Sequence, residues 1–170
     1  MNKEYKYCPI CGHLLVENMI EGRKRKYCTG CGFVDYRNPI PSAGAIAIRD
    51  DEILLIKRGE EPGKGIWAPP SGFIESSESP EEACLRELKE EAGVSGTIIK
   101  LLGVYYHPSR IYGDVLVIMY LVNNLSGDIK AGDDADDVKF YNINEVDDMR
   151  FNCFNNAFSE AKKYIEQYRG

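Results

Sequence analysis

Three glutamates, Glu87, Glu90 and Glu91, stand at i, i+3 and i+4 in a stretch whose flanks read as a helix. Residues three and four apart share a helix face, so these carboxylates crowd one another at a cost of about 0.2–0.5 kcal/mol per pair. A divalent cation turns that repulsion into binding, and hard oxygen donors point to Mg2+ or Mn2+, ions that also engage substrate phosphates. Taken by their spacing alone, the same glutamates also fit a solvated acidic face. A second set of donors is four cysteines in two pairs, Cys8-Pro9-Ile10-Cys11 and Cys28-Thr29-Gly30-Cys31, with sixteen residues between them. Two residues between cysteines let both thiolates reach one tetrahedral Zn2+ at about 2.3 Å. Gly12 and Gly32 follow the pairs, where a tight turn favours positive φ. The first residues carry no apolar leader, so disulfides are the less expected use of these thiols and a cytoplasmic location is expected.

The helix that must carry the glutamates has its own signals. Ser79 is the expected N-cap, Pro80 the first helical residue, Glu82 the partner in a capping box, and Gly93 the stop. Leu85, Leu88 and Ala92 are expected to face inward and the three glutamates roughly opposite. Alternating or β-rich runs mark strands at 43–49, 53–57, 97–106, 115–122 and 138–142, the first two as a hairpin across Asp50-Asp51. Residues 153–168 read as an amphipathic helix with Phe154, Phe158, Ala161, Ile165 and Tyr168 on one face. The expected class is α+β. Cys84 and Cys153 read as small core residues on helices.

The 170 residues carry 21 Lys+Arg and 27 Asp+Glu, a net charge of −6, which argues against general nucleic-acid binding. The charge is uneven. Residues 1–40 hold seven basic and four acidic side chains, net +3, and the remainder −9. With Asn38-Pro39-Ile40-Pro41 as a break, this predicts a zinc ribbon over 1–38 and a larger domain over 39–170. The ribbon reads as a structural clip or docking platform, because about 35 residues cannot build a core without the metal. Its Arg23-Lys24-Arg25-Lys26 run lends some support to nucleic-acid binding. No apolar run is long enough to span a bilayer.

Gly72, then Glu78 after five residues, then Arg86-Glu87-Leu88-Lys89-Glu90-Glu91-Ala92-Gly93-Val94 after seven more resembles the Nudix box without a gap. Upstream, where the family usually has Leu-Pro-Gly-Gly, this chain has Pro69-Pro70-Ser71-Gly72. With the ribbon in front, the chain resembles the Nudix hydrolases that carry an N-terminal zinc ribbon. The resemblance implies a mixed sheet flanked by helices and Mg2+- or Mn2+-dependent hydrolysis of a nucleoside diphosphate-X, ADP-ribose first and then FAD or NADH. It implies that Glu90 and Glu91 bind metal, that Glu87 is a further ligand or the base, and that Arg86 holds one of these carboxylates by a bidentate pair. It also implies that the Ser71 carbonyl completes a metal shell and that Asp134, in the loop Gly132-Asp133-Asp134, supplies an extra acid. Trp67, Tyr105, Tyr106 and Arg110 are candidate substrate contacts, with Tyr112 and His107 as further possibilities. A homodimer is plausible within the family. The alternative function is a nucleotide-sensing regulator on the same scaffold, its ribbon engaging nucleic acid.

Overall fold

The computed structural model describes residues 5–132 and 134–168, with Tyr168 described for its backbone alone. A first, three-stranded antiparallel sheet is built from β1 (Val16–Ile20), β2 (Arg23–Tyr27) and β3 (Val34–Asp35). Its small core is Cys8, Leu15 and Cys28 with Phe33 against them. Too little apolar surface is buried there for a self-sufficient core, so the cysteine cluster has to contribute to its stability.

The larger sheet begins with β4 (Ile40–Arg49) and continues through β5 (Glu52–Arg58), β6 (Trp67–Ala68), β7 (Ser71–Phe73), β8 (Ser95–Ser109), β9 (Gly113–Ser126) and β10 (Ala135–Asn142). Its main path runs β10-β5-β4-β9-β8, with β6 on β5 and β7 on β4. β4 and β9 are parallel over eight residue pairs and the remaining pairings are antiparallel, so the sheet is mixed. Helix α1 (Pro80–Ala92) and helix α2 (Asn152–Tyr168) complete the architecture.

The expected hairpin across Asp50-Asp51 forms only at its turn end, through Ile48↔Ile53 and Arg49↔Glu52. The reason is competition for the edge that β4 and β5 share: β7 takes it on β4 and β6 takes it on β5, while β9 and β10 pair along the opposite edges. Two cores result. One joins α2 to the sheet through Phe154, Ala157, Phe158 and Ala161 against Ile46, Leu55 and Met119. The other joins α1 through Ala83, Cys84, Leu88 and Ala92 against Ala45, Leu54, Ile56 and Tyr120. Cys84 and Cys153 are buried, as expected of core residues, and the Tyr168 side chain of the expected α2 face lies outside the described residues.

The start of α1 forms as its sequence dictates. Ser79 has extended backbone and its side chain accepts from the Glu82 N–H, while Glu82 reaches back to the Ser79 N–H at 2.8 Å. Gly93 ends the helix with φ 76°. The helix is then fixed by its apolar face, with Leu88 wholly buried. Leu88→Ala should destabilise the fold by about 2–5 kcal/mol, read as a lower urea midpoint with unchanged m-value.

Candidate metal and active sites

The four predicted zinc ligands meet. The sulfurs of Cys8, Cys11, Cys28 and Cys31 all lie within 4.8 Å of one another, and none of the four is disulfide-bonded. Cys8 Sγ is 3.6 Å from Cys31 Sγ, and Cys11 Sγ is 3.4 Å from Cys28 Sγ. A tetrahedron with Zn–S bonds of about 2.3 Å has edges of about 3.8 Å, so the donor set fits the ion. Each half is the same turn. The Gly12 N–H donates to Cys8 O and the Gly32 N–H to Cys28 O, both at 2.9 Å, with φ of 76° and 80° at the two glycines. The adjacent basic run is largely satisfied within the ribbon. Lys24 pairs with Glu17 at 2.7 Å, Arg25 with Glu21 at 2.6 Å, and Lys26 Nζ donates to Tyr5 O.

At the other candidate site, α1 carries Glu87, Glu90 and Glu91, and these three with Asp134 line one acidic depression. The neighbouring Asp133 lies outside the described residues. Glu91 does not face solvent, as the helical spacing suggested. It is 5% exposed. The correction has a physical cause: β7 crosses that face of α1, and the Ser71 N–H donates to Glu91 Oε2 at 2.8 Å. Burial pushes the Glu91 carboxyl up to about 8, the Ser71 N–H pulls it down, Glu87 and Asp134 add repulsion, and Arg58 offsets part of it. Burial also raises Glu87, against the pull of Arg86. A buried carboxylate facing two other acids is the environment a divalent cation stabilises. Among the described residues, the acids do not gather as closely as the cysteine sulfurs do; Arg86 Nη1 bonds Glu87 Oε1 at 2.6 Å and Glu90 Oε2 at 2.9 Å.

Arg86 departs from its expected partner. Its bidentate pair is with Glu78, Nε to Oε1 at 2.7 Å and Nη2 to Oε2 at 2.9 Å, while Glu87 and Glu90 receive single bonds and Phe73 O a further one at 3.0 Å. Gly72 lies so close to α1 that a Cβ there would overlap the Glu87 carboxylate.

Beside the acids opens a cleft of about 290 Å³. Glu87, Glu91, Asp134 and Ser71 border it, together with Arg58, His107, Phe73, Tyr112 and Phe151. Of the expected substrate contacts, Trp67, Tyr105, Tyr106 and Arg110 are not among its walls. Trp67 packs edge-on against Tyr141 with centroids 5.1 Å apart. Tyr105 packs against the α2-side core, and its hydroxyl donates to Leu102 O at 3.3 Å. Tyr106 is 59% exposed and bonds Asp114, because strand alternation turns it away from the face that His107 and Ser109 share. Arg110 is exposed on the β8–β9 turn. Tyr112 and His107 do border the cleft, Tyr112 edge-on to Phe73 at 5.0 Å and His107 edge-on to Phe151 at 5.3 Å.

A model of the NUDIX domain matches residues 38–162. The chain belongs to the Nudix family. The Nudix hydrolase match is supported by sequence and structure alike. The ADP-ribose pyrophosphatase of Methanocaldococcus jannaschii is 41% identical over 117 residues, covering 68% of this chain and 69% of that protein. The NAD-capped RNA hydrolase NudC of Pseudomonas putida is 27% identical over 145 residues, 85% of this chain. The chain spans only half the length of that relative. The crystal structure of a NUDIX hydrolase from Nitrosomonas europaea superposes with TM-score 0.79 at 27% identity, covering 96% of this chain and 92% of that one. No helix among the described residues is long and apolar enough to cross a membrane.

In this Nudix hydrolase, Ser71 stands where the family usually has glycine. Its side chain is accommodated because Gly44 lies opposite it in register, and a Cβ at Gly44 would come 2.6 Å from Ser71 Cβ. Arg58 and Phe151 are cleft residues that sequence reading missed. The sole hint at Arg58 was a second cation after Lys57 at the end of the apolar run 53–56, and nothing local marked Phe151.

Removing the zinc that this donor set would hold, or replacing Cys28 by Ser, should unfold the β1–β3 sheet and leave α1 and α2 helical. Amide hydrogen exchange should then show protection lost over residues 8–35 alone. Glu91 gives a second expectation. Free glutamate titrates near about 4.3, whereas Glu91 in the fold holds its proton up to about 8. The folded protein therefore binds the extra proton between these values, and metal-free stability should fall as pH rises from 5 to 8. Glu91→Gln should flatten that slope in chemical denaturation.

Proposed function

We propose that this Nudix hydrolase cleaves the diphosphate of a nucleoside diphosphate-X in a Mg2+-dependent reaction, with ADP-ribose the first candidate and FAD and NADH next. One observation carries the reading: a single cleft is bordered both by the carboxylates Glu87, Glu91 and Asp134 and by the aromatic rings of Phe73, Tyr112 and Phe151. A nucleotide diphosphate needs both, charge management for the phosphates and apolar faces for the base. The 41% identity to an ADP-ribose pyrophosphatase favours ADP-ribose within that class.

In the reaction a water oxygen bonds to one phosphorus, the bridging P–O bond breaks, and its electron pair leaves with the other phosphate. Mg2+, when bound, neutralises phosphate charge and lowers the pKa of water. Glu90 and Glu91 would hold it, with Asp134 and the Ser71 carbonyl as further donors. Glu87 is a ligand or takes the proton of the attacking water, and Arg86 fixes Glu87 and Glu90. Arg58, anchored by its Nε bond to Pro62 O at 2.9 Å, offers its remaining donors to a phosphate oxygen. The zinc ribbon is a structural unit in this scheme. The internal pairing of its basic run weighs against the alternative of a regulator that engages nucleic acid.

The purified chain with Mg2+ should convert ADP-ribose to AMP and ribose 5-phosphate, identified by chromatography alongside FAD, NADH and NAD-capped RNA. Glu90→Gln should lower kcat by about 10²-fold or more with an unchanged circular dichroism spectrum. Unchanged turnover in that variant would sink the metal assignment, and inertness toward the whole panel would sink the substrate class.

A further inference from the structure

Asp134 reaches the acidic depression from a loop between β9 and β10, more than forty residues from the glutamates it faces. No side-chain bond to α1 places it there. The loop is instead strapped to the C-terminal end of α1 by its backbone. The Lys130 N–H donates to Ala92 O at 3.0 Å, and the Gly132 N–H donates to Glu91 O at 3.3 Å. These are carbonyls of the last helical turn, which have no partner within the helix. They also belong to the turn that carries Glu90 and Glu91. Two more bonds fix the backbone at Asp134 itself: the Ala135 N–H donates to Gly132 O at 2.9 Å, and the Gly59 N–H donates to Asp134 O at 2.6 Å.

The contact between strap and helix is made where side chains are missing. A Cβ at Gly132 would lie 2.5 Å from Glu90 O, and one at Gly93 would lie 2.8 Å from Asp128 O. Both obstacles are backbone, which cannot rotate away as a side chain can. Gly93 also has to be glycine for its φ of 76°, but no positive φ accounts for Gly132. What Gly132 provides is the close approach of the loop to the turn that carries the glutamates.

We propose that Gly132 is a positioning residue for the metal site: it seats the strap on the last turn of α1 and so sets Asp134 against Glu91. Asp134 is then indexed to the backbone of the helix that bears its fellow ligands, and the four carboxylates form one rigid set. The inference rests on the proposed function only in taking Asp134 as a metal ligand.

The test is a double-mutant cycle of Gly132→Ala and Asp134→Asn on the full chain. It is read by Mn2+ binding, with free ion counted by electron paramagnetic resonance, and by the Mg2+ dependence of ADP-ribose hydrolysis. Gly132→Ala should weaken Mn2+ binding about tenfold and raise the Mg2+ concentration for half-activation by a similar factor. The KM for ADP-ribose should move less than about twofold. In the Asp134→Asn background Gly132→Ala should add less than about twofold, because its effect runs through Asp134. Insertion of one glycine after Ala131, which slackens the strap without adding a side chain, should reproduce the effect and serves in place of Gly132→Ala if that variant does not fold. A full tenfold loss in the Asp134→Asn background, or wild-type Mn2+ binding by a folded Gly132→Ala protein, overturns the proposal. Wild-type Mn2+ binding by Asp134→Asn overturns the ligand assignment beneath it. The expected losses of Mn2+ binding across the cycle, with no hydrolysis of any diphosphate, would leave the strap standing and defeat the substrate reading.

Discussion

Five hydrogen bonds from one guanidinium join β7 and the segment after it to the acidic face of α1. Arg86 holds Glu78 with two of them, Glu87 and Glu90 with one each, and the Phe73 carbonyl with the last. Without a cation at that point, three carboxylates would repel across a partly buried surface and the loop would have no charged anchor. A Cβ at Gly72 would overlap the Glu87 carboxylate that Arg86 holds, so a larger residue there would displace that carboxylate from Arg86. Loop, helix and carboxylate geometry thus depend on one another.

Burial does the rest of the chemistry. A glutamate on the solvent side of a helix is an ordinary acid; Glu91, covered by β7, resists ionisation until about pH 8. The same strand that covers it donates the Ser71 N–H, so the carboxylate is held in direction while being destabilised in charge. Such a group has strong reason to take a divalent partner, and its pull on that partner is strengthened by the exclusion of water.

Local signals were the legible ones. The cysteine spacing, the Ser79–Glu82 cap and the residue pattern from Gly72 to Val94 each depend on neighbours within a few turns of chain, and all took the form their chemistry requires. The two helices and the five long strands were placed, though each strand runs further than its apolar run. The burial of Glu91 was not legible, because it is imposed by a strand twenty residues earlier. The cleft walls were legible only in part: the acids, Ser71, Tyr112 and His107 were named from sequence, whereas Arg58, Phe73 and Phe151 were not. Register shifts at Ile98/Lys100 and Leu101/Gly103 in β8 break a simple alternation, and Phe151 arrives from the far end of the chain. Tyr105 and Tyr106 were attractive by residue type, but Tyr106 is on the opposite strand face, and Tyr105, on the same face as His107, packs into the α2-side core instead of the cleft.

The parallel pairing of β4 with β9 has a consequence for how the molecule comes together. Ile40 meets Val115 and Ala47 meets Val122, contacts closed across some seventy-five residues. Pairings of such separation are entropically slow to form, whereas the cysteine turns and the capped helix are made from near neighbours. On a growing chain both cysteine pairs and the α1 segment are synthesised while β9, whose Tyr120 and Val122 pack against α1, is still unmade. The order of synthesis therefore leaves an amphipathic helix, with Leu88 on its apolar side, waiting for its floor.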